Sequence, residues 1–408
     1  MSKHILVISQ FFYPEQFRIN DICCALVKRG YKVTVIAGIP NYPQGKFYDG
    51  YGWFKKRKET WNGMEIIRLP LIARGKSKIG MVLNYLSFVV FGAIWSLLTP
   101  IKADCVFGFE TSPMTQALLG VWYSKKRKVP NYLYVQDLWP ENVQVVAGIN
   151  NKYVIGAISK MVAYIYKNCD KILATSPSFV TEIQKRVEEN KEKVIYWPQY
   201  AEEFYQPAEN NGVESIFDDE AFKVIFTGNI GYAQGLHILP ETAKILKEKN
   251  IFDVRFIIVG DGRYKEQLIQ KISDYGLQDY FIFTGRVPAE KIPSYLAFCD
   301  AAFISFMNNS LFQWTIPAKL QSYMACAMPI VAAAEGETAR IVKEAECGVY
   351  SPVDNADALA ENIIELKNNG NLNLMAENSR KYFIDNFEKE KLMDFFEETV
   401  IKGNDKQI

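Results

Sequence analysis

Short, uninterrupted runs of apolar residues recur along the chain, and a stretch with helical spacing follows most of them. Runs of this kind are typical of strands that are buried on both faces of a parallel sheet. In the first half the pattern predicts strands at Ile5–Ser9, Lys32–Ala37, Cys105–Phe109, Tyr132–Gln136 and Lys171–Thr175. In the second half it predicts strands at Lys223–Thr227, Val254–Val259, Tyr280–Thr284, Ala301–Ser305 and Ile330–Ala333. Because strands and helices alternate, we expect an α/β fold with parallel sheets and right-handed crossovers.

The first helix is expected between about Ile19 and Gly30. Asn20 or Asp21 is a suitable N-cap for it, and a glycine such as Gly30 is typical of the position just after a helix. The turn before this helix lacks the glycine pattern of a dinucleotide-binding loop, so we do not expect that class of site there.

Polar stretches divide the chain. From Tyr196 to Glu220 the sequence is polar and contains Pro and Asn, which is typical of a connection between domains. A chain of 408 residues is also longer than one hydrophobic core normally serves. We therefore predict a first domain over residues 1–200 and a second over residues 201–386, followed by further helix. The connection near Tyr200 and the interruption near Asn386 are the expected hinges.

One segment, Ile79–Leu98, contains about twenty residues without a charge and is long enough to cross a bilayer. A crossing is not expected, because the strand Cys105–Phe109 follows at once and belongs to the same alternating series. Two interpretations remain: a helix buried against the sheet, or a helix that lies partly in a membrane surface. Basic residues near such a helix suit anionic lipid. Here they are Lys76, Lys78, Lys102 and the KKRK runs at 55–58 and 125–128.

A long loop, Gly38–Phe54, is rich in Pro, Gly, Asn and aromatic residues. Loops of this length in a compact domain are usually functional. We interpret it as an ordered lid or an acceptor-binding surface rather than a floppy excursion.

Composition excludes several classes of function. Lys plus Arg, 47 in all, nearly balances the 46 Asp plus Glu, so no global field favours nucleic acid. The chain has only two histidines, and its seven cysteines lack metal-ligand spacing, so no metal site is expected. Scattered cysteines of this kind suit a protein in the reducing cytosol. The apolar run after the first residues is too short for a signal peptide and is interpreted as the first strand.

The stretch Thr315–Pro329 carries the clearest candidate chemistry. Pro317 suits the first turn of a helix, whose N-terminal N–H groups and dipole attract anions, and Lys319 adds a full positive charge. Glycine loops also follow successive strands of the second half, and glycine lets a backbone approach a ligand closely. These segments are Thr227–Gly235, Val259–Arg263, Thr284–Arg286 and Ala334–Glu337. They predict one crevice for an anion of nucleotide size; without a Walker A pattern, a P-loop NTPase is not expected.

In the first half, Asp137, Glu141 and Ser176 follow predicted strands. Ligands of open α/β sheets gather beyond the carboxyl ends of strands, so these residues are candidates for a site. An acid at a strand end is equally an ordinary helix cap, and spacing alone leaves both readings open.

Several segments together resemble one enzyme family. GNIGYAQG, GDGR, TGRVP, PAKLQSYMAC and AEGETARIV in the second half are similar to glycosyltransferase family 4, which has the GT-B fold. YPEQFRIND, PNYPQGKFYDGY, LNYLSF and QDLWPE resemble its WbuB-like branch, associated with N-acetylfucosamine transfer. The resemblance covers nearly the whole chain. It implies two Rossmann-like domains that face a cleft, with a last helix, residues 387–408, that crosses back to the first domain.

The family resemblance also implies an activity and partners. Such enzymes are retaining hexosyltransferases that use a nucleotide-diphosphate sugar, here expected to be UDP-linked, without a metal or other cofactor. Many act at the inner face of the cytoplasmic membrane, as peripheral proteins, on undecaprenyl-linked saccharides for capsule or O-antigen. Residues in catalytic roles would be Asp137, Glu141, Lys319 and Glu337. Donor-binding residues would be Gly228, Asn229, Gly231, Gln234, Gly260, Arg263, Gly285, Arg286, Pro317, Lys319, Ser322, Glu335 and Arg340. Acceptor-binding residues would be Glu15, Asn41 and Tyr42.

The chain departs from the family pattern at functional positions. Trp314 and Ser322 stand where many members have two glutamates. Asn229 and Gln234 replace a basic pair, and Gln136 replaces a frequent histidine. Lys319 is therefore the leading partner expected for the diphosphate. Two alternatives stay open: a sugar-nucleotide 2-epimerase, which shares the fold, and a non-catalytic sugar-nucleotide-binding subunit. The apolar helix and the aromatic loop favour a transferase with a lipid-linked acceptor.

Overall fold

The computed structural model describes residues 2–187, 189–208, 219–369 and 371–403. Part of the predicted connection, residues 209–218, and the end of the predicted last helix, residues 404–408, lie outside the described residues. The chain forms two compact units, Met1–Trp197 with Phe395–Ile408 and Pro198–Asp394. Each unit contains a sheet of parallel strands with helices between them, so the predicted α/β class is confirmed.

The first unit contains an eight-stranded sheet in the order β3-β4-β2-β1-β5-β6-β7-β8. Its strands are β1 His4–Ile8, β2 Lys32–Gly38, β3 Lys58–Trp61, β4 Met64–Leu69, β5 Cys105–Glu110, β6 Asn131–Val135, β7 Lys171–Ala174 and β8 Val194–Tyr196. Only the β3–β4 pair is antiparallel. The order reverses between β1 and β5, and the carboxyl ends of strands at such a point form a natural crevice.

The helices of the first unit pack around this sheet. They are α1 Arg18–Lys28, α2 Lys78–Leu98, α3 Ala117–Arg127, α4 Glu141–Ala147, α5 Lys152–Lys167 and α6 Pro177–Gln184. The expected cap of the first helix was wrong: Phe17 is the N-cap residue and has no side-chain capping bond. Asn20 instead accepts from Tyr13 N and donates to Glu15 O, because it lies inside the first turn and faces the preceding loop.

The second unit contains a six-stranded parallel sheet in the order β11-β10-β9-β12-β13-β14. Its strands are β9 Phe222–Asn229, β10 Val254–Asp261, β11 Phe281–Gly285, β12 Ala301–Ser305, β13 Ile330–Ala333 and β14 Gly348–Ser351. Its helices are α7 Ile238–Glu248, α8 Lys265–Asp274, α9 Ile292–Ala297, α10 Ser310–Gln313, α11 Ala318–Ala325, α12 Glu337–Glu344, α13 Ala356–Asn369, α14 Leu372–Asn386 and α15 Lys389–Phe396. The order reverses between β9 and β12, which places the expected ligand crevice at their carboxyl ends.

Helix α2 has an inverted distribution of polarity. The residues that it buries are Asn84, Phe88, Gly92 and Ser96, whereas its aliphatic side chains are largely exposed. The first of the two interpretations, a helix buried against the sheet, was therefore wrong for most of its apolar surface. Within the described residues, α2 is the one helix long and apolar enough to cross a membrane, by length and composition only.

Candidate functional site

An open cavity of about 360 Å³ lies in the second unit, at the carboxyl ends of β9 and β10. Residues from the β11–α9 loop, α9 and α11 complete it. Its lining residues are Tyr205, Thr227, Gly228, Asn229, Val259, Gly260, Asp261, Arg286, Val287, Ala289, Ile292 and Lys319. The cavity thus lies at the predicted crevice and brings together Gly228, Asn229, Gly260, Arg286 and Lys319 from the expected donor set.

Two glycines form the floor of the cavity because the backbone there adopts angles that favour glycine. Gly228 has φ +127° and Gly260 has φ +143°, backbone angles that L-residues with side chains rarely adopt. A Cβ at position 260 would lie 1.9 Å from the Gly228 carbonyl oxygen. The ends of β9 and β10 therefore approach each other closely and leave bare backbone at the cavity.

Lys319 projects from the first turn of α11 into this cavity. Its Nζ lies 4.0 Å from the centre of the Phe226 ring and donates a hydrogen bond to Gln234 Oε1. In the described part of the chain Lys319 forms no ion pair, and burial lowers the pKa of its ammonium group to about 7. The carboxylate in the cavity lining, Asp261, lies 3.7 Å from Arg286 instead. The two side chains that it contacts, Gln234 and Phe226, are neutral, so an anion that binds beside Lys319 would stabilise its charged form.

A buried hydrogen bond fixes α11 relative to β9. The hydroxyl of Tyr323 accepts from Thr227 N at 2.8 Å and lies 3.1 Å from Thr227 Oγ1. Because Thr227 lines the cavity, this contact holds α11, the helix that carries Lys319, against the strand end. Pro317 is the N-cap residue, in extended conformation, and the helix begins one residue later than expected, at Ala318.

Other expected donor residues lie around the cavity without lining it. Ser322 turns its hydroxyl to the Ala318 carbonyl of its own helix, at 3.1 Å. Gly285 is the last residue of β11 and has φ +75°, and Arg263 is exposed after β10. Gly231 begins the turn that presents Gln234 to Lys319.

Three further expected residues belong to a separate cluster at α12. Glu337 is buried in the first turn of this helix and forms an ion pair with Arg340, 2.8 Å from Oε2 to Nη2. Arg340 also pairs with Glu344, so two carboxylates already occupy its guanidinium group. Glu335 accepts a bond from Gln313 Nε2 at 2.7 Å. The structure does not bring these side chains into the lining of the cavity.

In the first unit, Asp137 and a buried glutamate lie together at the carboxyl ends of β6 and β5. Glu110 is fully buried, and burial, followed by the charge of Asp137, raises its pKa well above the usual range. Burial also raises the pKa of Asp137, although Ser112 N donates to its Oδ2 at 2.7 Å. Both carboxyl groups are therefore more readily protonated than an exposed acid. Glu141 is farther along and pairs with Arg186.

The expected acceptor residues are largely internal. Glu15 is buried and accepts backbone N–H bonds from Asn41 at 2.8 Å and Tyr42 at 2.7 Å, and burial raises its pKa to about 7. Asn41 is buried and accepts from Arg74 N at 2.9 Å. Only the Tyr42 side chain of the three reaches the surface, with the Arg74 guanidinium 5.3 Å from its ring centre. Glu15 thus holds the Gly38–Phe54 loop in place.

Sequence reasoning missed Glu110, Tyr205 and Tyr323. Glu110 ends a strand as Asp137 nearly does, so the rule that selected Asp137 would have found it. Tyr323 is fully buried in α11, and nothing in the sequence indicated that its hydroxyl would bond to the strand end. Tyr205 lies in the irregular connection, where no periodicity indicates which side chains meet the cavity.

Part of the chain matches a family of glycosyltransferases, and similar sequences are also glycosyltransferases or related synthases. Residues 208–389 match the family model described as glycosyl transferases group 1. The chain is 24% identical to the putative colanic acid biosynthesis glycosyl transferase WcaI of Escherichia coli (strain K12), over 82% of this chain and 84% of that protein. It is 21% identical to the N-acetyl-alpha-D-glucosaminyl L-malate synthase of Bacillus anthracis, over 69% and 73% of the two chains.

Solved structures resemble the whole chain. Sucrose-phosphate synthase from Thermosynechococcus elongatus superposes with a TM-score of 0.75 at 14% identity, over 98% of each chain. Anabaena Alr3699/HepE in complex with UDP superposes with a TM-score of 0.69 at 16% identity, over 98% of this chain and 100% of that one. The predicted GT-B fold is confirmed by these likenesses.

Proposed function

We propose that this chain, whose residues 208–389 match the family model for glycosyl transferases group 1, is a retaining glycosyltransferase with a nucleotide-diphosphate sugar as donor. The observation that carries the proposal is Lys319, which lies at a glycine-floored cavity without a carboxylate partner in the described residues. A diphosphate would supply the missing negative charge. The HepE structures, which contain UDP or UDP-glucose, support UDP as the nucleotide.

The two sides of the cavity suit the two parts of such a donor. Val287, Ala289 and Ile292 form an apolar side that suits a planar base, with Tyr205 also in the lining. Lys319 and the bare backbone around Gly228 form the polar side, which suits phosphate oxygens. The sugar would then lie toward the carboxyl ends of the strands.

In the proposed reaction, the bond between the anomeric carbon and the phosphate oxygen breaks. Both bonding electrons stay with that oxygen, so the diphosphate gains negative charge while the sugar becomes oxocarbenium-like. Lys319 and backbone N–H groups stabilise that charge. The acceptor hydroxyl bonds to the same face of the anomeric carbon and its proton passes to the departing phosphate oxygen, so the configuration is retained. We expect turnover to survive EDTA.

The acceptor is proposed to be an undecaprenyl-linked saccharide at the inner face of the cytoplasmic membrane. Asp137, with Glu110 beside it, is the proposed orienting group for the incoming hydroxyl. Relatives named for colanic acid biosynthesis support a role in surface polysaccharide, such as capsule or O-antigen. N-acetylfucosamine or a related amino-deoxy sugar is the proposed group transferred, on the resemblance of the first half to the WbuB-like branch.

A panel of nucleotide sugars tests this function. The purified chain is incubated with each donor, with and without bacterial membrane lipid, and nucleoside diphosphate, free sugar nucleotides and glycolipids are analysed. Lipid-dependent release of nucleoside diphosphate, with a new glycolipid of unchanged anomeric configuration, is expected. An altered sugar still joined to its nucleotide would mean an epimerase. Binding without turnover across the panel would mean a non-catalytic subunit.

A further inference from the structure

The outward face of α2 is a continuous apolar stripe. Its members recur every three or four residues, and the side chain of each is at least 44% exposed: Ile79, Leu83, Leu86, Val90, Ile94 and Leu97. A helix of this length places the stripe along about 30 Å. Contiguous apolar surface of this extent is unfavourable in water and marks an interaction site.

The helix is held in place by its polar, inward face. Asn84 accepts from Gln10 Nε2 at 2.7 Å and donates to Ile72 O at 2.6 Å. Gly92 lets α2 approach α3 so closely that a Cβ there would lie 2.3 Å from Leu119 Cδ2. Because crossing a bilayer would break these contacts, the stripe is suited to lie on a membrane rather than to pass through it.

A second exposed apolar group, the turn that carries Phe54, is anchored to α2. Phe54 is 95% exposed at the tip of a turn that a bridge between Gly52 and Lys55 closes. The neighbouring Trp53 anchors this turn, since its Nε1 donates to Leu71 O at 2.9 Å and its ring contacts Phe91 of α2, with 5.4 Å between ring centres. The position of Phe54 relative to α2 is thus fixed. An aromatic side chain this exposed on an ordered turn suits insertion among lipid headgroups.

Exposed lysines occur on the segments that flank this apolar surface, and their charge indicates which partner it binds. They lie beside the Phe54 turn, at the start of α2, between α2 and β5, and at the end of α3: Lys55, Lys58, Lys76, Lys78, Lys102, Lys125 and Lys128. Lys126 donates to Leu97 O, which brings the end of α3 to the end of α2. Positive charge around an apolar face suits anionic lipid headgroups, whereas two copies joined through this face would bring like charges together.

We propose that the α2 stripe and the Phe54 turn form one surface that seats in the headgroup region of an anionic bilayer leaflet, with Phe54 as an inserted anchor. The proposal rests on the proposed function, in which the acceptor is held in a membrane. It adds the surface that docks and the residue that enters the lipid.

Vesicle binding by the full chain tests the surface. Phe54→Ser is compared with Phe252→Ser, a matched control at a phenylalanine that is 57% exposed in the second unit. The double variant Leu86→Ser with Val90→Ser tests the stripe. Binding is measured by sedimentation with phosphatidylcholine vesicles, with and without phosphatidylglycerol, after circular dichroism has verified that each variant is folded.

We expect binding only with phosphatidylglycerol, a fall of roughly tenfold or more for Phe54→Ser, and no fall for the control. The double variant should lose more. Equal vesicle binding by Phe54→Ser and the control would overturn the proposal that Phe54 inserts into the lipid. A double variant that still binds vesicles but turns a dimer into a monomer in analytical ultracentrifugation would overturn the surface and make it an interface between copies.

Donor turnover in the same preparations separates this proposal from the proposed function. The release of nucleoside diphosphate by donor hydrolysis needs no membrane, so Phe54→Ser should keep the wild-type rate in solution. Vesicle binding without any use of nucleotide sugars would contradict the proposed transferase function but not the proposed membrane-binding surface. If the wild-type chain never binds vesicles but transfers sugar to lipid acceptors in detergent, only the proposed membrane-binding surface is contradicted.

Discussion

Burial lowers the pKa of Lys319 to about 7, and within the described residues its ammonium group forms no ion pair that would favour the charged form. A bound diphosphate favours the charged form and raises that pKa, so binding above pH 7 should take up a proton. We predict that the affinity for the nucleotide sugar falls as pH rises above about 7. Calorimetry in buffers of different ionisation enthalpy should detect proton uptake at pH 8 and little at pH 6.

The control for this pH dependence is Lys319→Arg, which remains charged and should show no uptake at either pH. The same sign applies to the ligand-free protein. Between the folded pKa near 7 and the higher unfolded value, the unfolded state binds more protons, so this residue makes stability rise with pH. Donor affinity that is unchanged between pH 6 and pH 8 would contradict the assignment.

Turnover should also depend on Lys319. Replacing it with alanine removes a preorganised cation from the proposed position of the departing diphosphate, and we expect a loss of roughly 10²–10³-fold in kcat. Lys319→Arg should restore only part of this, since the guanidinium group is planar and larger. Lys244→Ala, at an exposed lysine on α7, serves as the control and should be neutral. A folded Lys319→Ala protein with near-normal kcat at saturating donor would remove the proposed role.

The sequence located part of this site correctly for a general physical reason. Carboxyl ends of parallel strands share an edge, so Gly228, Gly260 and Lys319 were expected together, and they line one cavity. The same rule does not predict which partner a side chain at that edge contacts. Arg340 pairs with two carboxylates of its own helix, and Ser322 bonds to its own backbone, because local partners satisfy them first.

Helix α11 is held against β9 by one buried hydroxyl. Tyr323→Phe would remove the acceptor of the Thr227 N–H bond and leave that donor buried without a partner. Such a loss costs about 1–3 kcal/mol of stability. We expect this destabilisation in urea unfolding, together with weaker donor binding, because α11 carries Lys319. Tyr350→Phe, at an exposed tyrosine of β14, should change neither quantity. Equal unfolding midpoints for the two variants would refute the positioning role.

The α2–α3 crossing depends on the missing side chain of Gly92. Alanine there would contact Leu119 at 2.3–2.6 Å, and overpacking of this kind typically costs about 1–3 kcal/mol. Gly156 of α5 is the matched control because a Cβ there meets no atom within 4 Å. Gly156→Ala should stabilise the protein by up to about 1 kcal/mol, since alanine favours the helix. Urea unfolding of both variants checks the opposite signs; a stabilising Gly92→Ala would contradict the packing.

Elements with uniformly apolar sequences were predicted well, and those that are polar or only three residues long were not. Strand β13 has the expected bounds, and α2 differs by one residue. The hairpin of β3 and β4 was missed because its residues, KETW and MEIIRL, alternate with charges and lie at a sheet edge. Strand β8 was missed because three residues are too few for a periodic signal.

For the whole molecule, the net charge of +1 means that attraction to anionic lipid cannot be a global property. It must come from the lysines around the α2 stripe, and salt screens such interactions at the surface. We predict that the chain sediments with phosphatidylglycerol vesicles at low salt and is released at high salt. Alkaline carbonate should also extract it from membranes. Retention by membranes through carbonate would instead indicate a segment that crosses the bilayer.

The two faces of α2 should also differ in how strongly their residues are conserved. On the outward stripe, a membrane asks only for apolar character, so Ile, Leu, Val and Met can interchange there among orthologues. On the inward face, Asn84 has hydrogen-bonding partners on both sides, and Gly92 has no room for a methyl group. An orthologue alignment should therefore show the unusual outcome of a helix whose surface drifts among aliphatic residues while its polar and small buried positions remain invariant.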